Sequence, residues 1–208
     1  MKKKVNPNRM NLLRLRKRLV LAQRGHKLLK DKLEGLIREL TDLIPTYRRA
    51  RDEVDRTFPG LLARFTLATA VSPRGAVREA IAQNATSAEL TIDRRRVMGV
   101  TTPVFQPPEP PESYRYSLTQ TPPELDMAFD ELQQLPDLLF RLAQLERSLA
   151  LLAAELGRTR RRANALEYVL IPELQQQRRE VEMKINERER GNITRLMKVK
   201  EMLMEERT

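Results

Sequence analysis

The sequence predicts a mainly helical protein in which an N-terminal and a C-terminal helix form a long, antiparallel, left-handed two-helix coiled coil. Three observations support this fold class. Apolar residues recur at alternating steps of three and four near both ends of the 208-residue chain. The stretch between them is rich in Thr, Val and Pro and predicts a small insert. We therefore divide the chain into an N-terminal helix at 1–71, a middle insert at 72–124 and a C-terminal helix at 125–208.

The N-terminal helix is predicted from an unbroken repeat that runs from Leu12 to Val54. A spacing of about 3.5 residues keeps one side of a helix against a partner helix and imposes a left-handed supercoil. His26 falls in this seam, where we interpret it as a polar residue that sets the register. Pro45 predicts a bend, and helical spacing beyond Pro59 extends the helix to about residue 71. The seam leucines of this helix are Leu12, Leu15, Leu19, Leu29, Leu33, Leu36 and Leu40.

The middle insert is predicted to contain a short helix, a β-hairpin and an extended linker. Residues 74–83 predict a short helix after a turn at Ser72–Gly75. Residues 88–105 are rich in Thr, Val and Ile with rough alternation, which predicts two short strands that form a β-hairpin. The proline-rich run at 107–123 is incompatible with a helix or a central strand, and we expect an extended linker there.

The C-terminal helix carries a second seam, made almost entirely of leucine. The repeat changes phase close to Pro172, which predicts a stutter in the coiled coil. Beyond this point the seam is predicted to resume through Ile193, Leu196, Val199 and Leu203. The seam leucines of this helix are Leu138, Leu142, Leu145, Leu149, Leu152 and Leu156.

Alignment of the two helix ends would make Leu12 face Leu196–Val199 and Tyr47 face Arg162. That register would bring seven arginines to one level as a belt. The belt is either a solvated face or a contact ring for an acidic partner, because arginine binds carboxylates in a bidentate manner. Its members are Arg48, Arg49, Arg51, Arg158, Arg160, Arg161 and Arg162.

Positive charge is concentrated at the N-terminus. The formal net charge is +11, and the first 32 residues hold 12 Lys and Arg against the single acid Asp31, so the rest of the chain is balanced. The register above places both chain ends together, which predicts a basic tip able to bind an acidic pocket, an anionic membrane surface or nucleic acid. The tip residues are Arg9, Arg14, Arg16, Lys17, Arg18, Arg24 and Lys198.

Composition argues against most enzyme chemistry. The chain has no Cys and one His, which excludes cysteine-based zinc sites and cysteine nucleophiles. Neither a P-loop nor a dinucleotide-binding glycine motif is present. No apolar run is long enough to span a bilayer. We therefore expect no catalytic, cofactor-binding or metal site, no membrane insertion and a cytoplasmic location.

Four segments carry a resemblance to a known family: VNPNRM at 5–10, RGHKLLKDK at 24–32, RTRRRANALEY at 158–168 and ERERGNITRLMKVK at 187–200. The chain resembles the D subunit of the archaeal and vacuolar-type (A/V-type) rotary ATPases. The resemblance implies a non-catalytic central axle that couples ATP hydrolysis or synthesis to proton or sodium transport by rotation. It further implies that the paired termini sit inside the hexamer of catalytic A and B subunits.

The resemblance also implies further partners and a location. The lower part of the axle would bind the F subunit and the funnel-shaped subunit on the membrane ring, at the cytoplasmic side of the membrane and peripheral to it. Two alternatives remain open at this point: a basic coiled coil that binds nucleic acid, and a stalk protein of a secretion apparatus. Nucleic acid is disfavoured because no aromatic side chain is interleaved with the basic N-terminal run.

Overall fold

A computed structural model of the chain describes residues 6–73, 75–83, 90–107 and 123–205. Helices and the β-hairpin follow the order predicted from the sequence. A π-helical turn interrupts the C-terminal helix. The elements are α1 (Arg9–Val71), α2 (Ala76–Gln83), β1 (Thr91–Val97), β2 (Val100–Gln106), α3 (Pro123–Ala165), the π-helical turn (Leu166–Leu170) and α4 (Ile171–Glu205).

The mainly helical class with a small hairpin insert is confirmed. α1 continues through both Pro45 and Pro59 and ends at Val71, as the helical spacing predicted. The short helix and the two strands also form close to their expected positions. Most of the predicted proline-rich linker, residues 108–122, lies outside the described residues. The bend at Pro45 stays a prediction.

The chain divides into two compact units, the first formed by Met1–Glu34 with Gly157–Thr208 and the second by Gly35–Leu156. In the first unit, Leu15, Leu19 and Ala22 of α1 bury against Leu174 and Val181 of α4. Removing such side chains from water stabilises a helix pair by roughly 1.5–3 kcal/mol for each fully buried large aliphatic residue. The core of this unit is therefore the predicted seam.

Three polar pairs fix the direction of the helices in the first unit. Arg9 contacts Glu189 at 2.6 Å and Arg16 contacts Glu182 at 2.8 Å. His26 Nε2 lies 3.2 Å from a Glu167 carboxylate oxygen in the π-helical turn. Partner numbers fall as the α1 numbers rise, so the two helices run antiparallel.

The predicted register is wrong in both units. Leu12 packs against the Leu174–Val181 cluster and not against Leu196–Val199. Tyr47 packs against the cluster that contains Leu142, whereas Arg162 was the predicted partner. The observed partners lie nearer the N-terminus, by about 11 residues for Arg16, which pairs with Glu182, and by about 20 residues for Tyr47, which packs near Leu142. Leucine recurs along both seams, so periodicity alone does not decide between such registers.

The phase change near Pro172 coincides with the π-helical turn at Leu166–Leu170. A π turn holds one residue more than an α turn, because its hydrogen bonds join residues five apart. The extra residue returns Leu174 and Val181 to the buried side. It also leaves Tyr168 and Val169 exposed, at 71% and 63%.

The seam does not resume at the end of α4, which corrects a further prediction. Ile193, Leu196, Val199 and Leu203 are all exposed. The physical reason is the corrected register. Arg9, the first residue of α1, already pairs with Glu189, so the described part of α1 ends at that level and covers nothing beyond it.

The second unit has two kinds of core. Towards its middle, Ala50 and Val54 of α1 bury against Leu142 of α3. At the end of α1, a larger cluster includes side chains from α2 and the first turns of α3. Its buried members are Ala68, Val77, Ala80, Leu125 and Phe129. Phe65 and Phe129 meet edge to face with ring centroids 5.9 Å apart, a favourable aromatic geometry.

The β-hairpin packs onto the second unit through its second strand. The turn residues Met98 and Gly99 have φ values of 49° and 83°, the left-handed geometry of a two-residue type I′ turn. Phe105 of β2 packs near Phe140 of α3, with the ring planes tilted by 51° and the centroids 6.4 Å apart. Met98 also reaches α1 at Gly35, where an added Cβ would overlap its terminal methyl group.

Candidate partner-contact surfaces

The predicted seam residues lie in the interior, away from any partner. All thirteen seam leucines named above are buried or half-buried, and Leu36 and Leu152 have no exposed surface. His26 is half-buried at the same seam, where its ring contacts Glu167. The surfaces available to a partner are therefore the outward faces of the helices and the hairpin.

The seven predicted belt arginines are all exposed. Arg48, Arg49 and Arg51 belong to the second unit, and the other four to the first. Arg51 is bonded one turn along its own helix to Asp55, at 3.1 Å, and this carboxylate raises the pKa of the Arg51 guanidinium. The single belt was deduced from the register that proved wrong, so a joint role for the two groups stays a prediction.

The basic tip residues are also exposed, and two of the seven have acidic partners. Arg9 and Arg16 bind Glu189 and Glu182 across the helix pair, and the hydrogen bond that Arg9 donates to Glu189 raises the pKa of its guanidinium. The remaining five form no ion pair with a residue in the described ranges. Their charge is thus available to an acidic partner. These five are Arg14, Lys17, Arg18, Arg24 and Lys198.

The end of α4 is an exposed apolar surface that the sequence reasoning missed. Every described side chain from residue 186 to residue 204 is exposed. The helical spacing of these residues is typical of a buried seam, and only the position where α1 begins shows otherwise. We call this set the α4 end; its large apolar members are Ile193, Leu196, Met197, Val199, Met202, Leu203 and Met204.

No cluster that could hold a metal ion occurs among the residues that the structure describes. Within the same ranges, no helix combines the length and the apolar character that crossing a bilayer requires.

A family model for the D subunit of ATP synthase matches residues 11–201. The chain belongs to this family. The match extends from the first turn of α1 almost to the end of α4, and it includes the hairpin. The family resemblance carried by the four sequence segments is confirmed.

Relatives in the D-subunit family are similar over almost their whole length. The chain is 42% identical to the V-type ATP synthase D subunit of Acetivibrio thermocellus over 207 residues, covering 98% of this chain and 93% of the relative. It is 39% identical to the protein of the same name from a Thermoanaerobacter species, with 96% and 97% covered. For the D subunit of a Clostridium botulinum V-type ATP synthase, the identity is 38% with 100% and 99% covered.

Proposed function

We propose that the chain is the central-stalk rotor subunit of a V-type rotary ATPase or ATP synthase. It would couple ATP hydrolysis or synthesis in a hexamer of A and B subunits to the transport of protons or sodium ions. The observation that carries this proposal is the family match over residues 11–201, together with relatives named as V-type ATP synthase D subunits along the full chain. The chain itself would provide no catalytic residue.

The packing in each unit supports a mechanical role. A shaft that transmits torque must resist slippage between its helices. In the first unit the buried seam is flanked by ion pairs between Arg9 and Glu189 and between Arg16 and Glu182. In the second unit Arg64 and Glu131 pair at 2.9 Å beside the buried Leu61. Exposed pairs of this kind add little stability, but they favour one register over its heptad-shifted alternatives.

The α4 end and the basic tip are the proposed contacts with the A and B subunits. Apolar side chains on an exposed helix surface mark an interaction site. Lys and Arg on long flexible stems can maintain contact with carboxylates while one surface moves past another. We assign the seven exposed arginines of the predicted belt to the same kind of contact, with acidic loops of the hexamer.

The remaining proposed partners are the F subunit and the funnel-shaped subunit on the membrane ring. We place the chain on the cytoplasmic side of the membrane, peripheral to it and assembled with the other subunits. Neither nucleic acid nor the lipid interior is a proposed partner.

The decisive experiment isolates complexes that contain the full chain, with an affinity tag inserted in the proline-rich run at 107–123. In this position the tag is remote in sequence from both chain ends. Gentle detergent extraction from the native source should recover A, B and F subunits and ATPase activity with the full chain. A chain truncated after Arg190 should lose the A and B subunits. The exposed side chains after this residue would supply that contact.

The truncation has an internal control. Every described side chain from residue 191 to residue 204 is exposed, so the isolated variant should melt close to the full chain. Recovery of the hexamer by the truncated chain would refute the role of the α4 end. Absence of A and B subunits from the full-length preparation would refute the rotor function itself.

A further inference from the structure

The outer edge of the β-hairpin has the features of a second docking site, one that the rotor function does not require. We propose that strand β1 binds an extended acidic segment of a partner protein by strand addition. Backbone hydrogen bonds would join the segment to β1, and Arg94 and Arg96 would pair with its carboxylates.

The turn determines which backbone groups of β1 are free. A two-residue turn places its flanking residues, Val97 and Val100, in a pair that exchanges both hydrogen bonds. Such pairs alternate along an antiparallel ladder, so Arg95 and Asp93 also bond to β2. The N–H and C=O groups of the intervening residues point away from β2. Those residues are Ile92, Arg94 and Arg96.

The opposite edge of the hairpin is closed. Pro103 faces outward on β2, opposite Arg94, and has no N–H to donate. Two residues further along, the Phe105 N–H donates to the side-chain oxygen of Gln144 at 3.2 Å. The hairpin therefore presents one usable edge, that of β1.

The side chains of β1 favour an acidic strand. Ile92, Arg94 and Arg96 share one face and are all exposed. Neither arginine forms an ion pair within the described ranges. Carboxylates at alternate positions of an added strand would lie directly opposite the two arginines. Side chains in directly opposed cross-strand pairs are close enough for opposite charges to attract. A second copy of this chain fits poorly, because its own Arg94 and Arg96 would face like charges.

The outward backbone groups of β1 favour a peptide over a nucleic acid as the ligand. The three free positions offer donors and acceptors in alternation, and an extended peptide satisfies both. Phosphate oxygens of a nucleic acid can only accept hydrogen bonds, so they would leave the outward C=O groups without donors. The observations therefore favour a peptide strand.

The test uses the full-length chain and a synthetic peptide of about ten residues with alternating Glu and Val, the length of a long strand. Amide hydrogen exchange is followed by NMR. Binding should slow exchange at Ile92, Arg94 and Arg96 by at least about tenfold. The amides of Asp93 and Arg95 should change little, because β2 already protects them.

Controls separate strand addition from simple charge attraction. The same peptide with methylated nitrogens at alternate residues, on its bonding edge, should give no protection. The R94E/R96E variant should bind the peptide at least about tenfold more weakly, whereas R95E, on the other face, should retain most of the binding. Protection of the Asp93 amide, which pairs with Val104 and is unchanged in every variant, will show that the hairpin still forms.

Several results would overturn the proposal. One is the absence of protection at Ile92, Arg94 and Arg96 when the peptide is added. Others are equal binding of the methylated peptide and equal losses in R95E and R94E/R96E. Protection by a single-stranded oligonucleotide but not by the acidic peptide would assign the surface to nucleic acid instead.

Discussion

At the scale of single residues, Gly35 illustrates a choice that sequence alone does not explain. Glycine inside a helix costs about 1 kcal/mol relative to alanine. In the structure, the end of the Met98 side chain occupies the space that a Cβ at this position would need. The helix thus gives up intrinsic stability where the hairpin turn rests against it. The sequence contains both residues, but no pattern in it shows their contact.

A double-mutant cycle tests this contact. In the Met98→Ala background, Gly35→Ala should stabilise the chain by about 1 kcal/mol, because helix propensity alone acts. In the wild-type background the gain should be smaller, because the methionine must move aside. Urea unfolding measures both differences. Equal gains in the two backgrounds would mean that Met98 does not constrain position 35.

The positions of the seam leucines are predictable from sequence, but the contribution of each leucine to the stability of the fold is not. Leu152 is completely buried, whereas Leu139 on the same helix is 39% exposed. Leu152→Ala should therefore destabilise the chain by about 2–5 kcal/mol through lost burial and a residual cavity. Leu139→Ala should cost less than about 1 kcal/mol. Thermal and urea unfolding give both values, and similar losses would contradict the assignment of the seam.

At the scale of elements, the π-helical turn explains how one helix face stays buried across Pro172. In a regular α-helix, one extra residue would rotate all the side chains after Leu170 by about 100° around the helix axis, away from the buried face. The wider turn absorbs that residue. The sequence revealed the phase change through the spacing of Leu170, Leu174 and Val181, but spacing alone does not distinguish a wide turn from gradual unwinding of the supercoil.

Single-residue deletions separate the two possibilities. Deleting Val169, which is exposed in the π-helical turn, should convert that turn to α-helix and leave Leu174 and Val181 buried. The melting temperature should fall by less than about 4 °C. Deleting Arg160, exposed in the regular helix α3, should rotate the following helix and lower it by more than about 10 °C. Circular dichroism melts measure both, and equal losses would exclude the compensating role of the turn.

The elements also show where sequence reasoning fails. Helix type, the C-terminal end of α1 and the hairpin follow from periodicity and turn residues, which are local signals. The register does not, because a leucine seam is compatible with any slip of whole heptads. Specific contacts choose one register: Phe65 with Phe129 in one unit, and His26 with Glu167 in the other. Each such pair occurs once, so it leaves no repeating pattern in the sequence from which it could be predicted. The exposed α4 end was missed for the same reason.

At the scale of the whole molecule, the surface charge provides the test of the proposed torque contact. Arg158, Arg160, Arg161 and Arg162 are exposed, and glutamine keeps good helix propensity at each position. The quadruple Arg→Gln variant should therefore melt close to the wild type, because a bond made by an exposed arginine contributes at most about 1 kcal/mol. The assembled complex should lose torque or ATP turnover, and the loss should increase with salt, because screening weakens the contacts that remain.

A matched variant gives this experiment its control. Arg48→Gln with Arg49→Gln removes exposed arginines from the second unit, and Arg51 is left in place because it bonds to Asp55. If both groups contribute to torque, each variant should be impaired and their combination more so. Wild-type rotation in the quadruple variant would make these four arginines part of a solvated face and assign the torque to other contacts.

The antiparallel contacts have a consequence for the order in which the chain folds. Arg64 and Met127 meet across 63 residues of sequence, whereas Arg9 and Glu189 meet across 180. Closing the longer loop first costs more chain entropy than closing the shorter one and then adding contacts outward from it. Folding should thus start at the cluster that contains Phe65 and Phe129 and proceed towards the chain ends. By the same reasoning, the contacts of Arg9 should form last and open first.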